Sequence, residues 1–369
     1  MRPMRIVSFE PGGGPMAARY EKFLAETGQG LFQTPAWAAA KARDGWRPRG
    51  LAAVAGDAIY AGVIALERRL PGGLLPFGGI WHAPRGPVAR FESEQGRAAA
   101  DALLGALDAL AADSGGSVIR ISPDVAPGGL PAGWLASRGY RPAPGAPWMH
   151  TATFRVDLAR PEDAVLAGME GRTRSAIRKA GRAGIRIDAS NGADSFRTFY
   201  AMHRDTGARN AFRVISEKRM HALWEESGKG NWGRVFISRA PGGEALSAAL
   251  VLAAGSRCHY LFGASAPGCR QWHPNELLHW EVMKWARARG CRVYDLEGVA
   301  GRLSRGHPLW GNYLFKRGFG GDYVELAGEY ERVLQPRVHR MIAWGVGRLR
   351  SVRASAPKAP RRGEEASHA

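Results

Sequence analysis

Phe315-Lys316-Arg317 stands immediately ahead of the glycine turn Gly318-Phe319-Gly320-Gly321, inside the stretch 311–329. Glycine accepts φ > 0 and lets a ligand come close to the backbone. A lysine beside an aromatic ring at such a turn suits gripping a phosphate or polarising a carbonyl. Read on its own, the stretch is equally an ordinary hairpin with solvated cations. A second grouping is Arg172, Arg174, Arg178, Lys179 and Arg182, helical in spacing and almost free of acids. Cations at that density attract a polyphosphate chain, although such runs also form plain solvated faces. Trp37 and Lys41 stand four residues apart, on one face of a helix opened by Thr34 as N-cap and Pro35, with Trp46 just beyond. Asp295 ends an apolar strand, where it could orient an amine or take its proton.

Other patterns lead nowhere. No Ser-His-Asp or Cys-His set presents itself, and Cys258, Cys269 and Cys291 lack metal-ligand spacing. His279 and Glu281 do not share a helix face. The R-x-x-G-x-A match at 178–183 lies within a helix rather than at a strand-to-helix turn, so it reads as chance. Neither a metal nor a cofactor is called for.

The chain has 369 residues, a formal charge of +19 and a pI near 10.6. Its length favours two domains, and its charge favours polyanionic partners: nucleic acid, phosphorylated metabolites or an anionic membrane surface. No run approaches the roughly 18 apolar residues of a membrane span. The N-terminus lacks an apolar stretch of signal-peptide type. A cytoplasmic location is expected.

Periodicity supplies the elements. Residues 17–30 read as a helix through Tyr20, Phe23 and Leu24. After the Thr34-capped helix come strands at 51–55, 58–66 and 74–77, a proline-bracketed segment at 81–88, an amphipathic helix at 92–113 and a strand at 117–121. A short helical turn at 135–140 precedes a Pro/Gly-rich linker, 141–147. The second half repeats this order: strands at 233–237, 246–253 and 258–263, a helix at 276–289, a strand at 291–296. LFKRGF at 314–319 answers LASRGY at 135–140. Between the copies lie the basic helix 172–184, a strand at 185–189, a helix at 196–205 and a polar turn at 206–212. The fold expected is α+β: a first lobe over 1–147, a second over 148–327, a C-terminal helix at 328–350 packing back on the first, and a disordered tail at 351–369.

The sequence resembles the FemABX family of aminoacyl-tRNA-dependent peptidyltransferases from about residue 33 to 333. The resemblance rests on Gln33-Thr34-Pro35-Ala36-Trp37, Pro84-Arg85-Gly86-Pro87-Val88, the basic helix, Tyr260-Leu261-Phe262-Gly263-Ala264-Ser265, Leu278-His279-Trp280-Glu281, Tyr294-Asp295-Leu296-Glu297-Gly298 and Leu314-Phe315-Lys316-Arg317-Gly318-Phe319. It implies two tandem acetyltransferase-like (GNAT-like) domains with a substrate channel between them. Without a heptad run, this would be a short form lacking the coiled-coil arm of some members. The implied reaction moves an amino acid from aminoacyl-tRNA to the side-chain amine of a peptidoglycan stem peptide, carried on lipid II or UDP-MurNAc-pentapeptide.

By resemblance, Lys41 and Trp46 stand at the site for the precursor's nucleotide or phosphates, beside Trp37, and Arg213 lines the same site. Phe315 and Lys316 match a channel pair, with the lysine placed for phosphate contact or oxyanion stabilisation. Phe262 replaces a family tyrosine. Ser117 and Ser122 replace a tyrosine and an aspartate of relatives that use the soluble precursor, so lipid II becomes at least an equal candidate. No dedicated nucleophile is needed, because the amine attacks an activated ester that the protein must align and whose oxyanion it must stabilise. A monomer is expected, and its charge is compatible with peripheral contact on an anionic membrane. Two competing readings are a tRNA-dependent ligase for a peptide natural product and a non-catalytic nucleic-acid-binding protein.

Overall fold

Two β-meanders, each followed by a helix and a parallel strand, divide the chain in the computed structural model, which describes residues 3–28, 30–69, 79–210, 212–299, 301–307 and 309–341. The first runs Arg47–Ala55, Ala58–Arg69, Gly79–Arg85, then the helix Glu94–Asp113, then Gly116–Pro123 parallel to Gly79–Arg85. The second runs Gly233–Arg239, Ala245–Ala254, Arg257–Ser265, then the helix Pro274–Ala288, then Val293–Asp295 parallel to Arg257–Ser265. Each meander is flanked on its outer side by an antiparallel strand, Arg5–Phe9 in one sheet and Arg186–Ser190 in the other. The internal repeat expected from the sequence is therefore a repeat of topology.

One strand crosses between the sheets. Beside Gly116–Pro123 lies Tyr330–Val333, from the far end of the chain, and Arg141–Pro142 completes that edge. The second sheet is built from residues 152–325: beside Val293–Asp295 lies Ala152–Asp157, which opens the second lobe, and Asp322–Glu325 completes that edge. The first sheet is thus closed by a segment that the chain has carried back to it. The segment expected as a C-terminal helix over 328–350 begins instead as the strand Tyr330–Val333, because alternating Tyr330 and Arg332 suit a half-buried strand; residues 342–350 and the tail expected at 351–369 lie outside the described residues. So does the expected strand at 74–77.

Each lobe buries its crossover helix. Leu103, Leu104 and Leu107 of Glu94–Asp113 pack with Trp81, Ile119 and Ile121. Leu278, Val282 and Met283 of Pro274–Ala288 pack with Phe154, Val156 and Tyr294. A third core spans the halves: Leu31, Phe32 and Trp37 pack against Phe196, Phe199, Met220 and Leu250. At its rim Arg43 pairs with Glu225 and Glu226, and Arg219 with Asp44. The turn expected at 206–212 is mostly helix, Ala193–Asn210, since nothing before Gly207 breaks the pattern.

Gln33 solves a local problem in the first sheet. The strand Gly79–Arg85 pairs with Ala58–Arg69 only as far as Leu66–His82, and Val88–Ala89 takes over at Gly62. Ile64 falls in the gap, and the Gln33 amide stands in for a strand residue there. Its Oε1 accepts from Ile64 N at 2.8 Å and its Nε2 donates to Ile64 O at 3.1 Å. The same amide donates to Pro84 O at 2.8 Å and accepts from Tyr20 Oη at 3.1 Å. Two of the recognised segments, around Gln33 and around Pro84, are thus clasped together. Replacing Gln33 with Leu strands several buried polar groups at about 1–3 kcal/mol each. We expect Gln33→Leu to lose more than about 3 kcal/mol in urea unfolding; a loss under about 1 kcal/mol would contradict the clasp.

Candidate active site between the lobes

The stretch 311–329 is no hairpin: Trp310–Arg317 is a helix, and Asp322–Glu325 is the strand that follows the glycine turn. Spacing accounts for this, since Tyr313 and Phe315 pack inward with Phe319 on the apolar core. Lys316 lies in the last helical turn and is only 6% exposed. Its Nζ donates to the carbonyl oxygens of Glu297 and of Gly298, the latter at 2.8 Å. An ammonium has three donors, so one remains without a partner among the described residues. Burial pulls the Lys316 pKa down to about 8, against Glu297 and Asp295, which favour the charge. The Phe315 ring packs at 5.3 Å from His279 and 5.1 Å from Phe319, forming the adjoining wall. His279 bonds Tyr294 Oη at 2.7 Å, and burial, then Lys316, pushes its pKa to about 3.

The two carbonyls converge because Glu297 and Gly298 are both left-handed, at φ 49° and 37°. For glutamate that conformation costs on the order of 1 kcal/mol and persists only where the surroundings over-determine it. Asp295 does so by accepting from Glu297 N at 2.9 Å. The same carboxylate accepts from Thr153 Oγ1 at 2.6 Å and Arg155 Nε at 2.9 Å. Burial alone would raise its pKa, but Arg155, then His259 and Arg257, hold it below the ordinary value. A carboxylate so fully engaged is a poor proton acceptor. The structure gives Asp295 a positioning task in place of the proton-transfer role considered from sequence.

Arg155 carries the chain of contacts into the first lobe. Its Nη2 lies 2.5 Å from Asp124 Oδ1, while Arg257 Nη1 lies 2.5 Å from Asp124 Oδ2. Burial would raise the Asp124 pKa, yet Arg257 and Arg155 hold it well below the usual carboxylate range. Beside this network, His259 Nδ1 lies 2.7 Å from Glu297 Oε1, and its Nε2 accepts from Leu31 N at 3.4 Å. Arg85 Nη2 reaches within 3.9 Å of Glu297 Oε2. His259, Asp295 and Glu297 bring donor atoms within 4.8 Å of one another, the spacing of a cation site. Each is already engaged by protein donors, so the trio acts as a satisfied hydrogen-bond network.

In the first lobe, Lys41 Nζ sits over the Trp37 ring, 4.6 Å from its centroid. Burial pulls the Lys41 pKa down to about 8; Asp44 opposes this, while Arg219 and Arg68 add to it. His82 is buried, and desolvation, then Lys41, Arg120 and Arg85, pushes its pKa to about 3. His82 Nε2 and Trp37 Nε1 are buried without hydrogen-bond partners among the described residues. Trp148, 5.2 Å from His82 and 4.4 Å from Arg120 Cζ, overhangs this cluster. Glu329 holds the backbone of Trp148 and Met149 and pairs with Arg120 at 3.4 Å. Trp46 stacks on Arg68 at 4.5 Å. Ser122 and Ser117 are structural, accepting from Arg85 N and donating to Gly79 O.

Not every expected residue joins the cleft. Arg213 is exposed, and no contact joins it to Lys41 among the described residues. Phe262 packs on His203 at 5.7 Å at the edge of the core that spans the lobes. On the basic helix Gly171–Arg182, Arg172 is tied to Glu170 and Leu314 O, and Arg174 to Ala167 O and Met169 O. Arg178, Lys179 and Arg182 are exposed, with no ion pair among the described residues. Asp124, Arg155, Glu297, His82 and His150 were passed over in the sequence. A charge inside an apolar strand, as Arg155 is in Ala-Thr-Phe-Arg-Val, was the available signal.

An acetyltransferase (GNAT) domain family matches residues 169–317. A lipid II:glycine glycyltransferase of Staphylococcus saprophyticus is 24% identical over 392 aligned residues, covering 88% of this chain and 93% of the relative. Among solved structures, FemX superposes with a TM-score of 0.79 at 20% identity, covering 91% of this chain and 99% of that one. A tandem GNAT protein from the clavulanic acid biosynthesis pathway gives a TM-score of 0.54 at 12% identity, covering 90% and 98%. The fold is thus a pair of acetyltransferase-like lobes, and the chain is an acyltransferase similar in sequence to lipid II:glycine glycyltransferases and in fold to FemX.

Proposed function

We propose that the protein moves an amino acid from aminoacyl-tRNA to the side-chain amine of a peptidoglycan stem peptide, presented on lipid II or on the UDP-linked pentapeptide. The observation that carries this reading is the buried Lys316 ammonium, fixed by two carbonyls with one donor left over among the described residues. Lys41, Arg120 and Arg68 offer charge to an acceptor's pyrophosphate. In this reading residues 1–147 hold the acceptor and 148–327 carry the chemistry. Arg178, Lys179 and Arg182 meet the tRNA, and the surplus of cations also suits peripheral contact with an anionic membrane.

The chemistry asks little of the side chains. The neutral amine attacks the ester carbonyl, a C–N bond forms, and the C–O bond to the ribose breaks. Lys316 steadies the oxyanion as it develops, in a buried site where such a contact is worth more than in water. A mixture of charged tRNAs offered with lipid II or with UDP-MurNAc-pentapeptide, followed by mass analysis, tests the reading. An acceptor heavier by one amino acid residue is expected, and no adduct with either acceptor would refute it.

Lys316→Ala should lower the single-turnover rate by about 100-fold or more, with a far smaller effect on thermal stability. Full activity in a merely less stable variant would defeat the assignment. With the Lys316 pKa near 8, its charge is present below that value and lost above it. Wild-type transfer should therefore decline as pH rises through about 8, and Lys316→Arg should remove that decline. For the basic helix, changing Arg178, Lys179 and Arg182 together to Ala should flatten the salt dependence of tRNA binding. The log–log slope should fall by roughly 0.7–0.9 per lost phosphate contact; an unchanged slope would place the tRNA elsewhere.

A further inference from the structure

His150 is the group in the cleft with the means to manage a proton. It lies in the segment that joins the lobes, between Trp148, which overhangs the Lys41 end, and Thr151, whose carbonyl accepts from Leu326 N. Its ring rests on Gly298: a Cβ at that glycine would stand 2.7 Å from His150 Nε2. Gly298 is also the residue whose carbonyl holds Lys316 at 2.8 Å. The imidazole and the ammonium therefore share one turn as their platform. Unlike His82, His259 and His279, His150 is solvent-exposed, and no hydrogen bond occupies it among the described residues. The charged groups facing it are Glu297 and Lys316 from the second lobe and Arg85 from the first. Desolvation, Lys316 and Arg85 together outweigh Glu297, so the neutral imidazole is favoured.

The rival bases are spent. Asp295 accepts from Thr153, Arg155 and the Glu297 amide. Glu297 is bonded to His259, and His279 to Tyr294. We propose that His150 is the proton acceptor for the attacking amine, a role that rests on the aminoacyl-transfer reading above. As nitrogen bonds to the ester carbon, its surplus proton passes to the neutral imidazole. His150 then returns that proton to the ribose oxygen as the C–O bond breaks, so the histidine ends as it began. Lys316 on the same platform stays protonated throughout and balances the oxyanion.

The test compares wild type with His150→Gln in single-turnover transfer from charged tRNA at saturating acceptor, across pH. The wild-type-to-variant rate ratio should be about 100 near neutral pH. It should shrink about tenfold per pH unit once the histidine becomes protonated, below its ordinary value near 6.5. Titration of the acceptor amine is common to both proteins and cancels in the ratio. A ratio near one at every pH would overturn the assignment to His150 while leaving aminoacyl transfer intact. A large ratio independent of pH would overturn it too, because a merely structural residue would behave that way. Absence of product from the wild type would overturn the transfer reading and this proposal together.

Discussion

Asp124 binds Arg155 and Arg257 with its two carboxylate oxygens, and the geometry of the cleft depends on that fork. Asp124 belongs to the first half of the chain, and both arginines sit in the second sheet. From Arg155 the order passes to Asp295, from Asp295 to the Glu297 amide, and from that left-handed turn to the two carbonyls that fix Lys316. A buried fork of this kind adds little net stability relative to apolar packing, yet losing one partner leaves uncompensated charge and costs about 3–5 kcal/mol. Its value is geometric: it ties the position of an ammonium in one lobe to the position of the other lobe.

A returning strand makes that tie durable. Tyr330–Val333, from beyond the second lobe, pairs with Gly116–Pro123 in the first sheet. The lobes cannot separate without breaking backbone ladders. The core formed by Leu31, Phe32 and Trp37 against Phe199 and Leu250 removes further apolar surface from water between them. A cleft built this way is pre-organised, as a reaction that depends on alignment of two large substrates requires. The polar residues near it differ in character: Lys41 and His82 are strongly desolvated, whereas His150 is exposed at the surface yet loses enough hydration to favour its neutral form.

Much of the fold was legible because it follows local rules. Thr34 caps its helix as its side chain dictates. The leucines of Glu94–Asp113 mark a buried face, and the duplicated order of elements marks two lobes. The return of Tyr330–Val333 to the first sheet was not legible, since pairing between segments some 200 residues apart leaves no periodic trace. Lys316 was found through its motif, but as part of a supposed hairpin; its helix emerged only from packing. Asp295 was noticed as a group to orient an amine or take its proton, but the three donors that converge on it from distant strands could not be read from the sequence. Trp37, taken as a substrate contact, is largely a core residue whose face carries Lys41. His150 was passed over just beyond the linker 141–147, where no motif or periodic pattern singles it out.

The claim that the inter-lobe fork sets the catalytic geometry is tested most directly by the single-turnover transfer rate of Asp124→Asn at neutral pH. The measurement is made at a temperature where circular dichroism reports a folded protein. A displacement of Lys316 by even about 1 Å should lower the rate by about 100-fold. A folded Asp124→Asn protein that transfers at the wild-type rate would contradict the account.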